Sequence, residues 1–327
     1  MHRIALTLLA ASCALPALAQ DDVLALGREA SAQFFDADYA ALWARMTPDM
    51  QDALGSEDAL ARFGDQTAAE LGIETEIVDE TETVQGDLSL YSRTGTWSDA
   101  PGPVLVQFAF TADADIASFL VQPQPQAAES AYLDYTTKSD LALPFAGDWF
   151  VFWGGREIAD NYHAADPAQR FALDFVVHED GQSYAGDPAV LENYHCWGRE
   201  ILAPADGQVI ATVSDLPDQL IGQTDADNPA GNHVILALAE SEFAFLAHMQ
   251  QDSITVQNGD EVEKGDVLGL CGNSGNTSEP HLHFHLQTTP DLRDGEGLPA
   301  QFTAYSADGE AMTRGEPIRG QTVSPQP

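Results

Sequence analysis

The chain has 327 residues, 44% of them apolar, a length that allows about two domains with folded cores. Its 52 acidic and 13 basic side chains give a formal net charge of −39. Nucleic-acid binding needs a cationic face, which this composition excludes. After the first 19 residues no apolar run approaches the roughly 20 residues that cross a bilayer, so we expect no membrane span.

The first 19 residues have the pattern of a secretory signal peptide. Arg3 precedes an apolar stretch over residues 4–15, and Ala-Leu-Ala at 17–19 is a small-residue cleavage pattern. A lipoprotein anchored at Cys13 is less consistent with the sequence because residues 14–19 are still apolar. The alternative is a buried N-terminal helix. We predict a mature periplasmic or secreted protein that begins at Gln20.

Residues 20–121 are predicted to form a small α+β domain. Apolar residues recur at helical spacing over residues 21–71, and Ser56 followed by two acidic residues is a typical helix start, with Gly72 as the stop. The pattern then changes to that of strands, which we place at residues 73–84, 88–97, 103–111 and 116–121.

The segment Phe-Phe-Asp-Ala-Asp-Tyr at residues 34–39 and the element order resemble small cone-shaped NTF2-like domains. No catalytic constellation is evident here, which favours a spacer or interaction domain. Residues 122–140 begin with alternating Gln and Pro and are predicted to form a stiff linker.

Residues 141–300 are predicted to form a mainly β domain of many short antiparallel strands. Turn signals at residues 204–207, 258–260 and 264–266 separate short apolar segments, and no long amphipathic helix is apparent. Residues 301–327 are polar and contain Gly and Pro, so we expect a loosely attached C-terminal tail.

The sequence Pro-His-Leu-His-Phe-His-Leu at residues 280–286 carries the clearest chemical signal. In a strand, alternate side chains lie on opposite faces, so His281, His283 and His285 share one face and three apolar residues share the other. Imidazole is the commonest protein metal ligand and an acid/base near neutral pH. The pattern therefore predicts a metal-centred active site.

Further candidate partners are His163, Asp174 and His248. Catalytic zinc typically takes three protein ligands from His, Asp or Glu and leaves a position for water. Taken singly, each of these residues is weakly specific.

Together with their surroundings they resemble a family. Residues 269–284, Gly-Leu-Cys-Gly-Asn-Ser-Gly-Asn-Thr-Ser-Glu-Pro-His-Leu-His-Phe, closely resemble the signature of M23 metallopeptidases, the lysostaphin/LytM-like group. Gly-Asn-His-Val at 231–234, His248 and the glycine-punctuated run at 256–265 match other motifs of that family. The resemblance extends over residues 141–290.

The resemblance implies a zinc endopeptidase with a compact antiparallel β fold that cleaves peptidoglycan stems or cross-bridges. His163, Asp174 and His283 would be the zinc ligands. His248 and His281 would flank the reacting carbonyl as catalytic residues, without an assignment of base and acid between them.

One departure concerns spacing. The family places its Asp four residues after the first His, whereas His163 and Asp174 are eleven apart, so residues 164–170 would form an insertion. His178 and Asp180 are the fallback ligands. His285 is a candidate for a supporting or substrate-contacting role.

The alternative function is a non-catalytic regulator with the same fold, which binds a cell-wall amidase or another envelope partner. A biotinyl or lipoyl carrier, suggested by residues 256–268, lacks a suitably placed lysine. Cys196 and Cys271 are candidates for an intramolecular disulfide, which the sequence alone leaves open. It also leaves the oligomeric state open.

Overall fold

A computed structural model of the protein describes residues 20–326. The predicted signal peptide, residues 1–19, lies outside the described residues and stays a prediction. The chain divides between Gln124 and Pro125 into two compact units.

The first unit consists of helices followed by a sheet. Its four helices are α1 (Gln20–Phe35), α2 (Tyr39–Ala44), α3 (Pro48–Leu54) and α4 (Glu57–Leu71). Its four strands are β1 (Glu74–Gln85), β2 (Leu88–Trp97), β3 (Val104–Phe110) and β4 (Ile116–Pro123). They pair in sequence order, and each pair is antiparallel.

The local signals read from the sequence are present at the start and end of α4. The Ser56 side chain accepts a hydrogen bond from the Ala59 amide, which satisfies one of the free N–H groups of the first turn. Gly72 follows the helix with φ 78°, a conformation that favours glycine. The likeness to NTF2-like domains stays a prediction.

An aromatic cluster forms the centre of this unit's core. The rings of Phe34 and Phe119 lie 4.8 Å apart, and Phe119 stacks on Phe108 at 4.6 Å. The helices therefore bury their apolar side chains against one face of the sheet.

The second unit is mainly β, as predicted. Its strands are β5 (Trp149–Trp153), β6 (Leu173–Val176), β7 (Glu200–Leu202), β8 (Gly207–Val213), β9 (Asn232–Ala239), β10 (Glu242–Met249), β11 (Glu261–Val262), β12 (Val267–Leu270), β13 (Leu282–Gln287), β14 (Gly297–Leu298), β15 (Phe302–Ala307), β16 (Glu310–Gly315) and β17 (Thr322–Pro325). Short 3₁₀ turns occur at Tyr162–Ala165 and Leu191–Asn193.

Eleven of these strands form one antiparallel sheet. Its order is β11-β8-β9-β10-β13-β6-β5-β17-β15-β16, with β14 paired to β13, while β12 and β7 form a separate pair. The central strands β10, β13 and β6 are therefore neighbours, although they lie far apart in the sequence.

The apolar face of β13 joins the core of this unit. Leu282, Phe284 and Leu286 are fully buried, and the Phe284 ring lies 5.3 Å from that of Phe302. The alternation read from the sequence thus anchors the strand through one face and leaves its histidines on the other.

The predicted loose tail at residues 301–327 is wrong. Within residues 301–326 the chain forms β15, β16 and β17, and β17 pairs with both β5 and β15. Phe302, Tyr305 and Val323 are buried in the core. The Gly and Pro residues that suggested a tail lie largely in the turns between these strands.

The predicted linker also differs from the structure. Residues 122–123 complete β4, and the residues from 125 onward belong to the second unit. The Tyr135 hydroxyl donates to the buried Glu242 carboxylate at 2.9 Å, and Thr137 donates to the Pro299 carbonyl at 2.7 Å.

Cys196 and Cys271 form a disulfide, with their Cα atoms 6.0 Å apart. Within residues 20–326, no helix has the length and apolar character needed to cross a membrane.

Candidate metal centre

The sheet register brings Asp174 and His283 together. The two residues are directly paired across β6 and β13, so their side chains leave the same face of the sheet. His283 Nδ1 lies 2.9 Å from Asp174 Oδ1. On the other side of β13, His283 is paired with Ala247, the residue before His248.

His163 reaches the same carboxylate from a 3₁₀ turn. Asn161 precedes this turn, and its side chain accepts from the His163 amide at 3.2 Å. The same side chain donates to the Gly155 and Ala172 carbonyls, both at 3.0 Å. Asn161 therefore ties the turn to the chain just before β6, and His163 Nε2 lies 3.0 Å from Asp174 Oδ2. His163 and Asp174 are thus in contact although they are eleven residues apart in the sequence.

The three side chains form a convergent donor set. One ligand atom from each of His163, Asp174 and His283 lies within 4.8 Å of the other two, and all three side chains are buried. Two imidazoles and one carboxylate are a donor set that suits zinc and leaves a position for water. The residues present therefore fit this metal.

Burial alone would raise the pKa of the Asp174 carboxyl. The neighbouring His163 and His281 imidazoles outweigh that effect and hold this pKa well below its ordinary value. The carboxylate is therefore ionised at neutral pH, as a metal ligand must be.

His248 is placed beside this set by an irregularity at the end of β10. The pairing of β10 with β9 shifts between Leu246 and Met249, and His248 has φ 63°. A positive φ is uncommon for a residue with a Cβ and concentrates at functional sites. The bulge turns the imidazole towards His281, whose ring centroid lies 4.7 Å away.

Both of these imidazoles have one nitrogen held by a backbone carbonyl. His248 Nδ1 donates to the Ser274 carbonyl and His281 Nδ1 to the Glu279 carbonyl, each at 2.8 Å. In the neutral ring the other nitrogen, Nε2, then carries the lone pair. His281 Nε2 lies 3.7 Å from Asp174 Oδ1. Burial, with the nearby His281 and His283, holds the pKa of His248 well below its ordinary value.

Because Gly231 has no side chain, the loop that supplies the Ser274 carbonyl packs directly against its backbone. Gly231 has φ 56°, and a Cβ on it would lie 2.2 Å from the Ser274 carbonyl oxygen. The Ser274 hydroxyl accepts from the Asn232 amide at 2.8 Å and donates to the Met249 carbonyl at 2.7 Å. These contacts fix the acceptor that orients His248.

The cluster opens into a groove of about 820 Å³. Its walls include the apolar or aromatic side chains of Tyr162, Phe245 and Leu292. Arg293 is the only lysine or arginine among the described residues that line it. A groove of this size accommodates a short peptide segment.

The fallback ligands lie elsewhere. His178 stacks on Phe150 at 4.3 Å, and Asp180 lies in an exposed turn with φ 51°. The structure thus brings together His163, Asp174, His248, His281 and His283, and it leaves His178 and Asp180 out.

Sequence reasoning missed the groups that orient these side chains. The Ser274 and Glu279 carbonyls are backbone atoms, which leave no signal in residue type. Gln287 was also missed, although it continues the alternation of His281, His283 and His285 and lies on the same face of β13.

Residues 194–295 match the sequence profile of Peptidase family M23. The chain carries an M23 peptidase domain. The matched segment includes His248, His281 and His283, whereas His163 and Asp174 precede it in the sequence.

Two curated proteins resemble parts of this chain. The Cell division protein DipM of Caulobacter vibrioides (strain NA1000 / CB15N) is 26% identical over 97 residues, which are 30% of this chain and 14% of that protein. The Peptidoglycan DD-endopeptidase ShyA of Vibrio cholerae (serotype O1, strain ATCC 39315 / El Tor Inaba N16961) is 30% identical over 90 residues, 26% of this chain and 20% of that protein. The chain thus spans a fifth or less of the length of these relatives.

Among solved structures, the catalytic domain of lysostaphin from Staphylococcus simulans aligns with 46% of this chain and 86% of its own. The identity is 16% and the TM-score is 0.29. A likeness of this extent adds nothing to the assignment of the M23 domain.

Proposed function

We propose that this protein is a zinc-dependent endopeptidase of the cell envelope that hydrolyses peptide bonds in peptidoglycan stems or cross-bridges. The M23 domain and the similarity to a protein named as a peptidoglycan endopeptidase support the class of reaction. The observation that carries the proposal is the convergence of His163, Asp174 and His283 beside two further buried imidazoles.

His163, Asp174 and His283 would hold the zinc ion through two nitrogens and one carboxylate oxygen. When bound, zinc polarises the scissile carbonyl and lowers the pKa of water. Because the carboxylate and both imidazoles are buried, competing water is largely excluded from the ligand atoms.

His248 and His281 supply the proton transfers. Each has its Nδ1 proton directed at a carbonyl, so Nε2 is the atom that accepts a proton from the attacking water. The resulting imidazolium stabilises the tetrahedral oxyanion and returns the proton to the leaving amine. The low pKa of His248 keeps this ring neutral, and therefore available as a base, at neutral pH.

The proposed location is the periplasm or the exterior of the cell. The signal-like residues 1–19 direct export, and the Cys196–Cys271 disulfide suits an oxidising compartment.

The direct test uses the chain from residue 20 to 327 with purified peptidoglycan and synthetic stem or cross-bridge peptides. We expect cleavage that EDTA abolishes and zinc restores. His281→Ala and His248→Ala should each lower kcat by about 10²- to 10⁴-fold while the bound zinc stays near that of the wild type. His178→Ala is the matched control, since this imidazole lies outside the cluster, and it should retain activity.

The second candidate is a non-catalytic regulator that binds a cell-wall amidase. The similarity to a protein named for cell division rather than for hydrolysis favours it. A wild-type chain that cleaves none of these substrates, with or without zinc, but binds an amidase tightly would replace the endopeptidase by this function.

A further inference from the structure

A chain of hydrogen-bonding groups extends from His283 along the histidine face of β13. His283 Nε2 lies 2.9 Å from His285 Nδ1, and His285 Nε2 lies 3.3 Å from Gln287 Oε1. Gln287 Nε2 donates to the Thr289 and Asp291 carbonyls at 2.7 and 2.6 Å. His283, His285 and Gln287 are 5%, 4% and 0% exposed, so water offers these groups few alternative partners.

The two carbonyls fix the orientation of the Gln287 amide. Each is an acceptor and needs an N–H group, so the amide nitrogen must face them and Oε1 must face His285. A rotated amide would place its oxygen against two carbonyl oxygens in a buried site, which leaves several polar atoms unsatisfied.

The direction of the remaining bonds then follows. Gln287 Oε1 requires a donor, so the proton of His285 is on Nε2. The neutral His285 ring therefore has its lone pair on Nδ1, which accepts from His283. The proton of His283 is accordingly on Nε2, and its Nδ1 has the lone pair that faces Asp174.

We propose that Gln287 and His285 are positioning residues that set the tautomer of His283 and keep its Nδ1 free to bind the metal. The inference rests on the proposed zinc centre. Gln287 acts through His285, and neither residue touches the reacting atoms.

The hydrogen-bonded series His283–His285–Gln287, here called the relay, disfavours the tautomer of His283 that has its proton on Nδ1. Without it, the preferred tautomer of His283 would place its proton on Nδ1 and donate to Asp174 Oδ1, only 2.9 Å away. That state blocks the ligand atom. When His285 is hydrogen-bonded to Gln287, the blocked state also places two lone pairs, on His283 Nε2 and His285 Nδ1, 2.9 Å apart and facing each other. The relay therefore disfavours the blocked state.

A cross-strand contact fixes the orientation of the His285 ring. His285 is paired with Phe245 on β10, and the two rings stack at 4.5 Å with an interplanar angle of 10°. This contact limits rotation of the His285 ring, so the hydrogen bonds to His283 and Gln287 keep their direction.

The first test needs no variant. In ¹⁵N-labelled protein treated with EDTA, the ring nitrogen shifts of His283 report its tautomer, with His283→Gln used to assign the signal. We expect the proton on Nε2. A proton on Nδ1 would overturn the proposal, and this readout does not depend on whether the protein hydrolyses peptidoglycan.

The second test measures zinc affinity by competition with a chelator. Gln287→Leu removes the terminal acceptor and should weaken zinc binding by about 10- to 100-fold, with an Nδ1–H tautomer appearing in the metal-free spectrum. His285→Gln retains an acceptor and a donor in series and should bind zinc nearly as the wild type does.

The matched control is Gln301→Leu. Like Gln287, Gln301 accepts through its side-chain oxygen, here from the Thr137 amide, and donates to a carbonyl, that of Tyr135, but it does not contact the His283–His285 pair. It should leave zinc affinity unchanged. Unchanged affinity in Gln287→Leu would contradict the relay, whereas a wild type that binds no zinc would contradict the metal centre itself.

Discussion

Three buried histidines of the second unit, His233, His248 and His285, are held as neutral imidazoles. Burial lowers the pKa of His233, His248 and His285, in the last two well below the ordinary value. A neutral ring has one N–H and one lone pair, and the structure gives each N–H an acceptor. In His233 it is Nδ1 that donates, to the Gly231 carbonyl at 2.7 Å. Each ring therefore presents its lone pair in a defined direction.

His233 offers a test of this neutrality away from the proposed ligands. In the unfolded chain a histidine has a pKa of about 6.5, and the folded value is lower. Below about pH 6.5, His233 binds a proton in the unfolded state but stays neutral in the folded state. The free energy of unfolding therefore falls by up to about 1.4 kcal/mol for each pH unit.

His233→Gln should therefore flatten the loss of unfolding free energy between pH 6.5 and 5.5, measured by urea unfolding of the EDTA-treated protein. An identical slope in variant and wild type would show that this imidazole titrates normally in the folded state.

At the scale of the elements, strands with strong local patterns were predictable. The expected strands at 73–84 and 88–97 are β1 and β2 within one residue at each end. The alternation at residues 280–286 predicted both faces of β13. The spatial grouping of five candidate site residues was implied by the resemblance to a family, in spite of the longer separation of His163 and Asp174, and their roles remain proposals.

What the sequence did not reveal depends on pairing between distant segments. The bulge that places His248 arises from the register of β10 on β9, and no residue type marks it. β15 and β17 were missed because they are short and lie among polar, Gly and Pro residues. Only the pairing of β17 with β5, and of β15 with β17, places Val323 and Phe302 in a core.

The C-terminal strands provide a prediction about stability. Phe302 is fully buried against Phe284 and Phe175, so Phe302→Ala should lower the free energy of unfolding by about 3–5 kcal/mol. Glu310→Ala, on the exposed strand β16, should change it by less than about 0.5 kcal/mol. Denaturant unfolding followed by circular dichroism measures both. Equal, small effects would mean that residues after 300 contribute little to the fold.

At the scale of the whole molecule, the net charge of −39 would affect the approach of the proposed peptide substrate. Stem peptides with free carboxylates are anionic, so the protein's field opposes their approach, and salt screens that field over a Debye length of about 8 Å at 0.15 M. Arg293 on the groove wall acts in the opposite sense, over a shorter range.

We therefore predict that kcat/KM for an anionic stem peptide rises as the salt concentration increases from about 0.02 to about 0.3 M. Over roughly this range the Debye length shortens and screening becomes effective. An amidated, uncharged peptide of the same length should show little change. A fall in kcat/KM with salt for the anionic peptide would mean that attraction by Arg293 dominates the field of the whole chain.

The position of the metal is the most direct test of the central claim. Crystals grown with zinc should show a single strong anomalous peak at the zinc edge, about 2.0–2.2 Å from His163 Nε2, His283 Nδ1 and an oxygen of Asp174. A peak coordinated by other side chains, or no peak at this cluster in zinc-saturated crystals, would contradict it.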